Sequence, residues 1–266
     1  MKVIISDNRR FEKFIDIFRH AKEVNETFNI RMDKDMMYMQ CMDQSHILVL
    51  DFELKKEWFD TFEFDEEHDN DTYGINAANI FKFLNTKQGN QKMIMSCKPD
   101  DDKLLIEFKG DKAKEYNKKF NMSLLEIDCD MITIPEAEDE VEFVIEHSNF
   151  AASVDQLALF GDTLRIAIDN ETINMSSSGM DGDMEIDIKT DDVEEFSAVE
   201  CDEGEKLLSQ SYAIKYIKTM CNFNKVSKWL IIKVSGDRPI CCFYKLDNDS
   251  YVRLYLAPKV DDNDDE

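Results

Sequence analysis

The sequence predicts an α+β protein of two similar domains, each with antiparallel sheets and two short helices. An internal repeat is the first observation: Phe14 and Phe150 open equivalent helical patterns, and Met32-Asp33 matches Ile168-Asp169, both at an offset of 136. The second observation is that many apolar residues alternate with polar ones, which indicates half-buried strands. The third is that four short segments carry apolar residues at helical spacing.

Two further matches extend the repeat along the chain. Phe108-Lys109 corresponds to Tyr244-Lys245, again at 136, and Met42-Asp43 corresponds to Met180-Asp181 at 138. The second match requires one two-residue insertion. The nearly constant offset predicts two copies of one domain and not a solenoid.

The first copy opens with a strand over VIIS and a helix over NRRFEKFIDIFRHAKEV. In that helix Phe11, Phe14, Ile15 and Phe18 follow the i, i+3, i+4, i+7 spacing of a buried face. The rest of the copy is predicted as strands FNIRMD, MMYMQCMD and HILVLDFEL, helix NAANIFKFLNT, and strands KMIMSC and KLLIEFK.

The second copy repeats this order of elements. It is predicted as strand EFVIEHS, helix NFAASVDQLALF, strands LRIAID, TINMSSS and MEIDIK, helix SYAIKYIKTMCNF, and strands KWLIIKV, ICCFYK and VRLYLAP. The predicted division is a domain over 1–123, a connector over 124–139 around Pro135, a domain over 140–260 and an acidic tail over 261–266.

Composition excludes several classes of protein. No stretch approaches the roughly 18 consecutive apolar residues of a membrane helix, so the expectation is a soluble, intracellular protein with no membrane partner. The seven cysteines form no CxxC pair and no His lies at zinc-ligand spacing, so reduced thiols are expected and no metal. Phosphate-binding loop, HExxH, GxSxG and dinucleotide motifs are absent, so no cofactor, no catalytic residue and no enzyme are expected.

The net charge of −25 opposes a nucleic-acid surface over most of the protein, yet basic residues concentrate in the helices. The segment 211–228 holds Lys215, Lys218, Lys225 and Lys228 and no acidic residue. On a helical wheel Lys215 and Lys218 lie opposite the apolar face formed by Ile214, Ile217, Met220 and Cys221. Two interpretations stay open: ordinary solvated helix faces, or a basic surface that contacts the DNA backbone.

Several motifs, in order along the chain, resemble sliding clamps of the proliferating cell nuclear antigen family. They are QCMDQSHILVLDFEL, GINAANIFKFL, TIPEAE, SNFAASVDQLALFGDTLRIA and YLAPKV, and the resemblance runs from about residue 3 to residue 264. It implies a DNA clamp fold that assembles into a pseudo-six-fold homotrimeric ring. Helices would line a hole through which double-stranded DNA passes without sequence preference.

The resemblance implies two sets of site residues. In the third helix Ala152 and Asp155 stand where relatives usually carry arginines, which predicts weaker phosphate contact there. The DNA-facing residues would be Arg9, Arg10, Lys13, Arg19, Lys82, Lys215, Lys218 and Lys225. A pocket for short partner peptides would be lined by Met42, His46, Ile47, Val49, Ile132, Ile134, Pro135, Pro239, Tyr255, Ala257 and Pro258.

The implied function is a processivity factor that tethers DNA polymerase and other replication and repair proteins. Its partners would be DNA polymerase, a clamp loader and other proteins with clamp-interacting peptides, in the nucleus or in a viral replication compartment. A checkpoint-type or heteromeric clamp subunit that never homotrimerises is the alternative within the same fold. A metal-dependent hydrolase is opposed by four scattered histidines.

Overall fold

A computed structural model describes residues 1–64, 72–98, 101–110, 115–129, 131–134, 139–199, 207–236 and 238–259. The chain forms two compact units. The first contains 1–44, 50–133 and 246–252, and the second contains 45–49, 134–245 and 253–266. The predicted boundaries at 123, 139 and 260 stay a prediction, and the acidic tail lies outside the described residues.

The first copy has the predicted order of elements with additional short strands. They are β1 (Lys2–Ile5), α1 (Asn8–Val24), β2 (Thr27–Met32), β3 (Met36–Met42), β4 (Leu48–Lys55), β5 (Thr61–Glu63), β6 (Thr72–Asn76), α2 (Ala77–Leu84), β7 (Lys92–Ser96), β8 (Lys103–Lys109) and β9 (Lys118–Ser123).

The second copy has the same order. Its elements are β10 (Val141–Glu146), α3 (His147–Leu157), β11 (Thr163–Ile168), β12 (Thr172–Gly179), β13 (Gly182–Lys189), β14 (Glu195–Ala198), β15 (Leu208–Ala213), α4 (Ile214–Met220), β16 (Trp229–Ser235), β17 (Arg238–Lys245) and β18 (Tyr251–Leu256).

Strand order confirms the duplication. The first copy has the five-stranded sheet β5-β1-β7-β8-β9 and the run β4-β3-β2-β6. The second has the matching run β14-β10-β16-β17-β18 and the four-stranded sheet β13-β12-β11-β15. All the strand pairs whose registers are described are antiparallel, as the alternating pattern predicts.

The two-residue insertion placed in the second copy is wrong. There Gly179 pairs with Gly182 across the turn Met180-Asp181, whereas the first copy connects β3 to β4 through 43–47. Gly182 has φ 141°, a conformation that glycine adopts without steric cost. The second copy is therefore the shorter one at this hairpin.

The helix predicted over 211–223 is also too long. Ser211, Tyr212 and Ala213 belong to β15, where they pair with Arg165, Leu164 and Thr163 of β11. Ladder hydrogen bonds to a distant strand override the local helical spacing. The strands β5, β6 and β14 and the rest of β15 were also not predicted, because stretches of a few residues carry too little alternation to be recognised.

Helix α1 shows how the sequence sets one element. Asp7 caps its first turn by accepting a hydrogen bond from the Arg10 backbone N–H at 2.8 Å. The predicted apolar face is buried, with Phe14 and Phe18 fully inaccessible. The Phe18 ring lies edge-on to Phe14 and Phe52, with ring centroids 4.9 and 5.8 Å apart, so aromatic packing holds the helix on its sheet.

In the second unit, helix α3 begins with a buried histidine, His147. The His147 Nε2–H donates to the Cys221 carbonyl at 2.7 Å, and the Tyr244 hydroxyl donates to the Met220 carbonyl at 2.8 Å. These bonds satisfy the carbonyls at the end of α4. Burial lowers the pKa of His147 from 6.5, although the hydrogen bond to Cys221 opposes this.

We expect His147 to make stability depend on pH. The unfolded chain takes up a proton on this ring near pH 6.5 and the folded chain does so only at lower pH, so the free energy of unfolding falls as pH drops through 6.5. His147→Gln should reduce the loss of melting temperature between about pH 7.5 and about pH 5.5. The exposed His46→Gln is the control, and an equal loss in both variants would contradict this role.

Candidate nucleic-acid interface and partner-peptide site

Each unit packs its two helices side by side, α1 against α2 and α3 against α4. The apolar faces are buried: Ile80 and Leu84 on α2, and Ile214, Ile217 and Met220 on α4. The remaining faces are open to solvent and carry the cations that the sequence marked. A surface of this kind can contact phosphates, and it offers no element shaped to read bases.

The cations of the first unit differ in what they contact. Arg9 and Lys82 are exposed and Lys13 is half-buried. Arg10 is hydrogen-bonded within the chain, since its Nη1 donates to the Trp58 carbonyl at 3.0 Å. Arg19 Nη1 lies 2.8 Å from Oδ1 of Asp16, whose side chain is buried.

Arg19 also takes part in an aromatic contact. Its guanidinium lies 5.7 Å from the centroid of the Phe81 ring on α2, and the Lys22 ammonium lies 4.6 Å from the same ring. Cation–π attraction at partly exposed sites is worth about 0.5–1 kcal/mol. Two cations of α1 therefore contact the same aromatic ring, Phe81, at the junction of α1 and α2.

In the second unit Lys215, Lys218 and Lys225 are all exposed. The Lys218 ammonium lies 2.8 Å from Oδ1 of Asp155 on α3. The Lys215 ammonium lies 4.6 Å from the centroid of the Tyr216 ring. Helix α3 supplies no lysine or arginine. The lysines and arginines are therefore unevenly divided between the two helix pairs.

Most of the predicted peptide-pocket residues belong to the second unit. The Ala257 backbone N–H donates to the Ile47 carbonyl at 3.0 Å, which brings the YLAPKV and QSHILV segments together. His46 is exposed and has φ 61°, so it occupies a left-handed turn. Ile47, Val49, Ile134, Tyr255, Ala257 and Pro258 are half-buried and Pro239 is exposed, while Pro135 lies outside the described residues.

Two predicted pocket residues belong to the first unit. Met42 is half-buried, and its carbonyl accepts a hydrogen bond from Asn25 Nδ2 at 2.7 Å. Ile132 has an exposed side chain, while its backbone is held by Gln40 at both ends: its N–H donates to Oε1 at 2.7 Å and its carbonyl accepts from Nε2 at 3.1 Å.

The segment 124–132 is anchored by residues that the sequence did not single out. The Leu125 N–H donates to the Gly74 carbonyl at 2.8 Å, and Asn29 Nδ2 donates to the Ile127 carbonyl at 3.0 Å. A Cβ on Gly74 would lie 2.1 Å from the Leu125 carbonyl oxygen, so this close approach requires glycine. A small cavity beneath the segment is lined by Asn29, Arg31, Tyr38, Gln40, Cys129 and Met131.

The described residues have mostly buried thiols and scattered metal-ligating side chains. They contain no group of three or more His, Cys, Asp or Glu side chains that could hold a metal ion. Burial raises the pKa of the Cys41 thiol, and it raises the pKa of the Cys221 thiol to about 12, so both stay protonated at neutral pH. Within the same part of the chain no helix is long and apolar enough to cross a membrane.

Comparison with known proteins covers nearly the whole chain. The family model described as proliferating cell nuclear antigen, N-terminal domain, matches residues 7–133, and the model of its C-terminal domain matches residues 133–259. Proliferating cell nuclear antigen 1 of Plasmodium falciparum is 28% identical over 265 residues, which cover 94% of this chain and 94% of that protein.

A viral protein is similar over the whole chain. Probable DNA polymerase sliding clamp 2 of Paramecium bursaria Chlorella virus 1 is 26% identical over 270 residues, covering 100% of this chain and 94% of that protein. Both family models lie in order along the duplicated α+β architecture. The chain therefore belongs to the proliferating cell nuclear antigen family.

Proposed function

We propose that three copies of this chain close into a ring around duplex DNA and tether a DNA polymerase to its template. As a member of its family the chain is a non-enzymatic DNA polymerase processivity clamp. The observation that carries the proposal is the repeated pair of adjacent helices, whose buried apolar faces leave lysines and arginines open to solvent.

The charge distribution supports a surface that holds DNA without reading it. The chain carries −25 overall, so phosphate is repelled except where the helices concentrate basic residues. The expected contacts are Arg9, Lys13, Lys82, Lys215 and Lys225, with smaller contributions from Arg10, Arg19 and Lys218, which have partners within the chain. Such contacts depend on counterion release and not on base sequence.

Polymerase stimulation tests the function directly. On a long primed template, we expect the protein to increase the length synthesised in one binding event, because a tethered polymerase rebinds before it diffuses away. The triple variant Lys13→Ala, Lys82→Ala, Lys215→Ala should lose most of this stimulation at unchanged melting temperature. A folded wild-type trimer that fails to lengthen products would contradict the proposed function.

Two edge strands suit the closure of a ring. β9 lies at the edge of the five-stranded sheet and β13 at the edge of the four-stranded sheet. Pairing of β9 with β13 between copies would satisfy the open backbone groups of both edges and can close a cyclic assembly. Lys119 on β9 and Asp183 and Glu185 on β13 are exposed and opposite in charge. Lys118, also on β9, is half-buried and donates to the Thr86 carbonyl.

Tyr116, just before β9, is the prominent apolar side chain of this edge, at 75% exposure. Its backbone is fixed by Gln91, a fully buried amide that donates from Nε2 to the Tyr116 carbonyl at 2.7 Å. Glu115 Oε1 accepts from the Asn90 N–H at 3.2 Å. An ordered backbone below an exposed aromatic ring is typical of an interface anchor.

Tyr116→Ala should therefore weaken self-association without unfolding the chain. We expect light scattering to give about three times the 31.1 kDa chain for the wild type and a mass near one chain for the variant at micromolar concentration. Val199→Ala removes another exposed apolar side chain outside both edges and serves as the control. A variant that stays trimeric would rule out Tyr116 as an anchor.

The segments that contain His46 and Ala257 in the second unit are proposed to receive short peptides with aliphatic and aromatic anchors. A contact of such peptides with Ile132 of the first unit is proposed separately. Half-buried apolar side chains such as Ile47, Val49 and Tyr255 suit the anchors of an extended peptide. Polymerase, loader and other replication proteins would share this site, in the nucleus or in a viral replication compartment. The checkpoint-type or heteromeric alternative is not favoured, because the similar protein of Plasmodium falciparum is named proliferating cell nuclear antigen 1 and the similar viral protein is named a probable DNA polymerase sliding clamp.

Ile132→Ser tests the peptide site with little risk to folding. Its side chain is 38% exposed, so its loss should cost peptide affinity by about tenfold, or about 1.4 kcal/mol, while stability is unchanged. Leu125→Ser, at 40% exposure on the same segment but outside the predicted set, is the matched control. Isothermal titration with one such peptide would contradict the assignment if both variants bound alike.

A further inference from the structure

The two helix pairs differ at one equivalent position. Phe14 corresponds to Phe150 and Phe18 to Val154 at the offset of 136, and all four are fully buried. By the same offset, Arg19 of α1 is the repeat equivalent of Asp155 of α3. The duplicated fold therefore carries a cation at this position in one copy and an anion in the other.

The partner on the second helix differs as well. Ile80 corresponds to Ile217 and Leu84 to Cys221 at an offset of 137, so Phe81 corresponds to Lys218. In the first copy Arg19 lies over the Phe81 ring at 5.7 Å, and in the second Asp155 pairs with Lys218 at 2.8 Å. The contact between helices at this position is therefore a cation–π contact in the first copy and an ion pair in the second.

The charge balance at the two junctions follows from these contacts. At the first junction Arg19 and Lys22 are both positive, and buried Asp16 compensates one of them. At the second junction Lys218 is compensated by Asp155, and Ala158 stands where the first copy has Lys22. The side chains of Lys218 and Asp155 are 47% and 65% exposed, so the pair lies on the open face of the helices.

We infer that Asp155 withholds Lys218 from the DNA backbone, so that duplex DNA is held mainly by the first helix pair and by Lys215 and Lys225. This inference rests on the proposed function. A carboxylate 2.8 Å from the ammonium competes with phosphate for the same cation, and its own charge repels phosphate. The isolated pair adds little to stability, because exposed ion pairs are worth about 0–1 kcal/mol. The main effect of the pair is to limit the contact of Lys218 with DNA phosphates.

Lys215 and Lys218 form a matched comparison, since both are exposed lysines of α4 and only Lys218 has a described acidic partner. Binding of a fluorescent 30-base-pair duplex would be measured by anisotropy across a salt series. Lys215→Ala should reduce the slope of log K against log salt by about 0.9 for each copy that contacts DNA. Lys218→Ala should leave the slope nearly unchanged.

Asp155→Asn should release Lys218 and steepen the slope by about 0.9 per contacting copy, and Lys218→Ala should then remove that gain. Asp191→Asn removes an equal charge from an exposed 3-10 turn and should change the slope little. Equal slopes for Lys218→Ala and Lys215→Ala in the wild-type background, or no change with Asp155→Asn, would overturn the inference while DNA binding itself upheld the proposed function. A wild-type protein that does not bind duplex DNA would overturn both.

Discussion

The structure depends on the burial of one apolar stripe from each helix in each unit. Phe14 and Phe18 of α1 and Phe150 and Val154 of α3 are fully buried, and their spacing leaves the opposite face for most of the polar residues. Because the apolar stripe must lie on the sheet, the lysines and arginines between its members are turned to solvent at set positions. Packing and surface charge therefore come from the same residue spacing.

Three of the helix cations are bound or partly neutralised by other groups of the same chain. Arg10 is bound to a carbonyl, Arg19 to buried Asp16 and Lys218 to exposed Asp155. In a protein that carries −25, complete exposure of every helical cation would give the tightest phosphate contact. A clamp that moves along DNA needs contacts that form and break readily, and partial compensation of its cations weakens each one.

The two other proposed surfaces share an ordered backbone below exposed apolar side chains. β9 and β13 lie at sheet edges, and the segment before β9 is ordered by Gln91, whose amide is fully buried. The segment 124–132 is ordered by the close approach of Leu125 to Gly74 and by the Gln40 side chain. Both surfaces thus present apolar side chains such as Tyr116 and Ile132 from a backbone that is held in place.

The sequence by itself determined the duplication, the order of the longer elements, the family and the concentration of basic residues in the helices. These features follow from periodicity and composition over neighbouring residues. The tertiary structure alone decided that Ser211–Ala213 form a strand, that β5 and β14 exist, and that Lys218 meets Asp155. It also revealed Gly74, Gln40 and Gln91 as anchors. Their partners are far away along the chain, and a pairing energy between distant residues leaves no trace in local spacing.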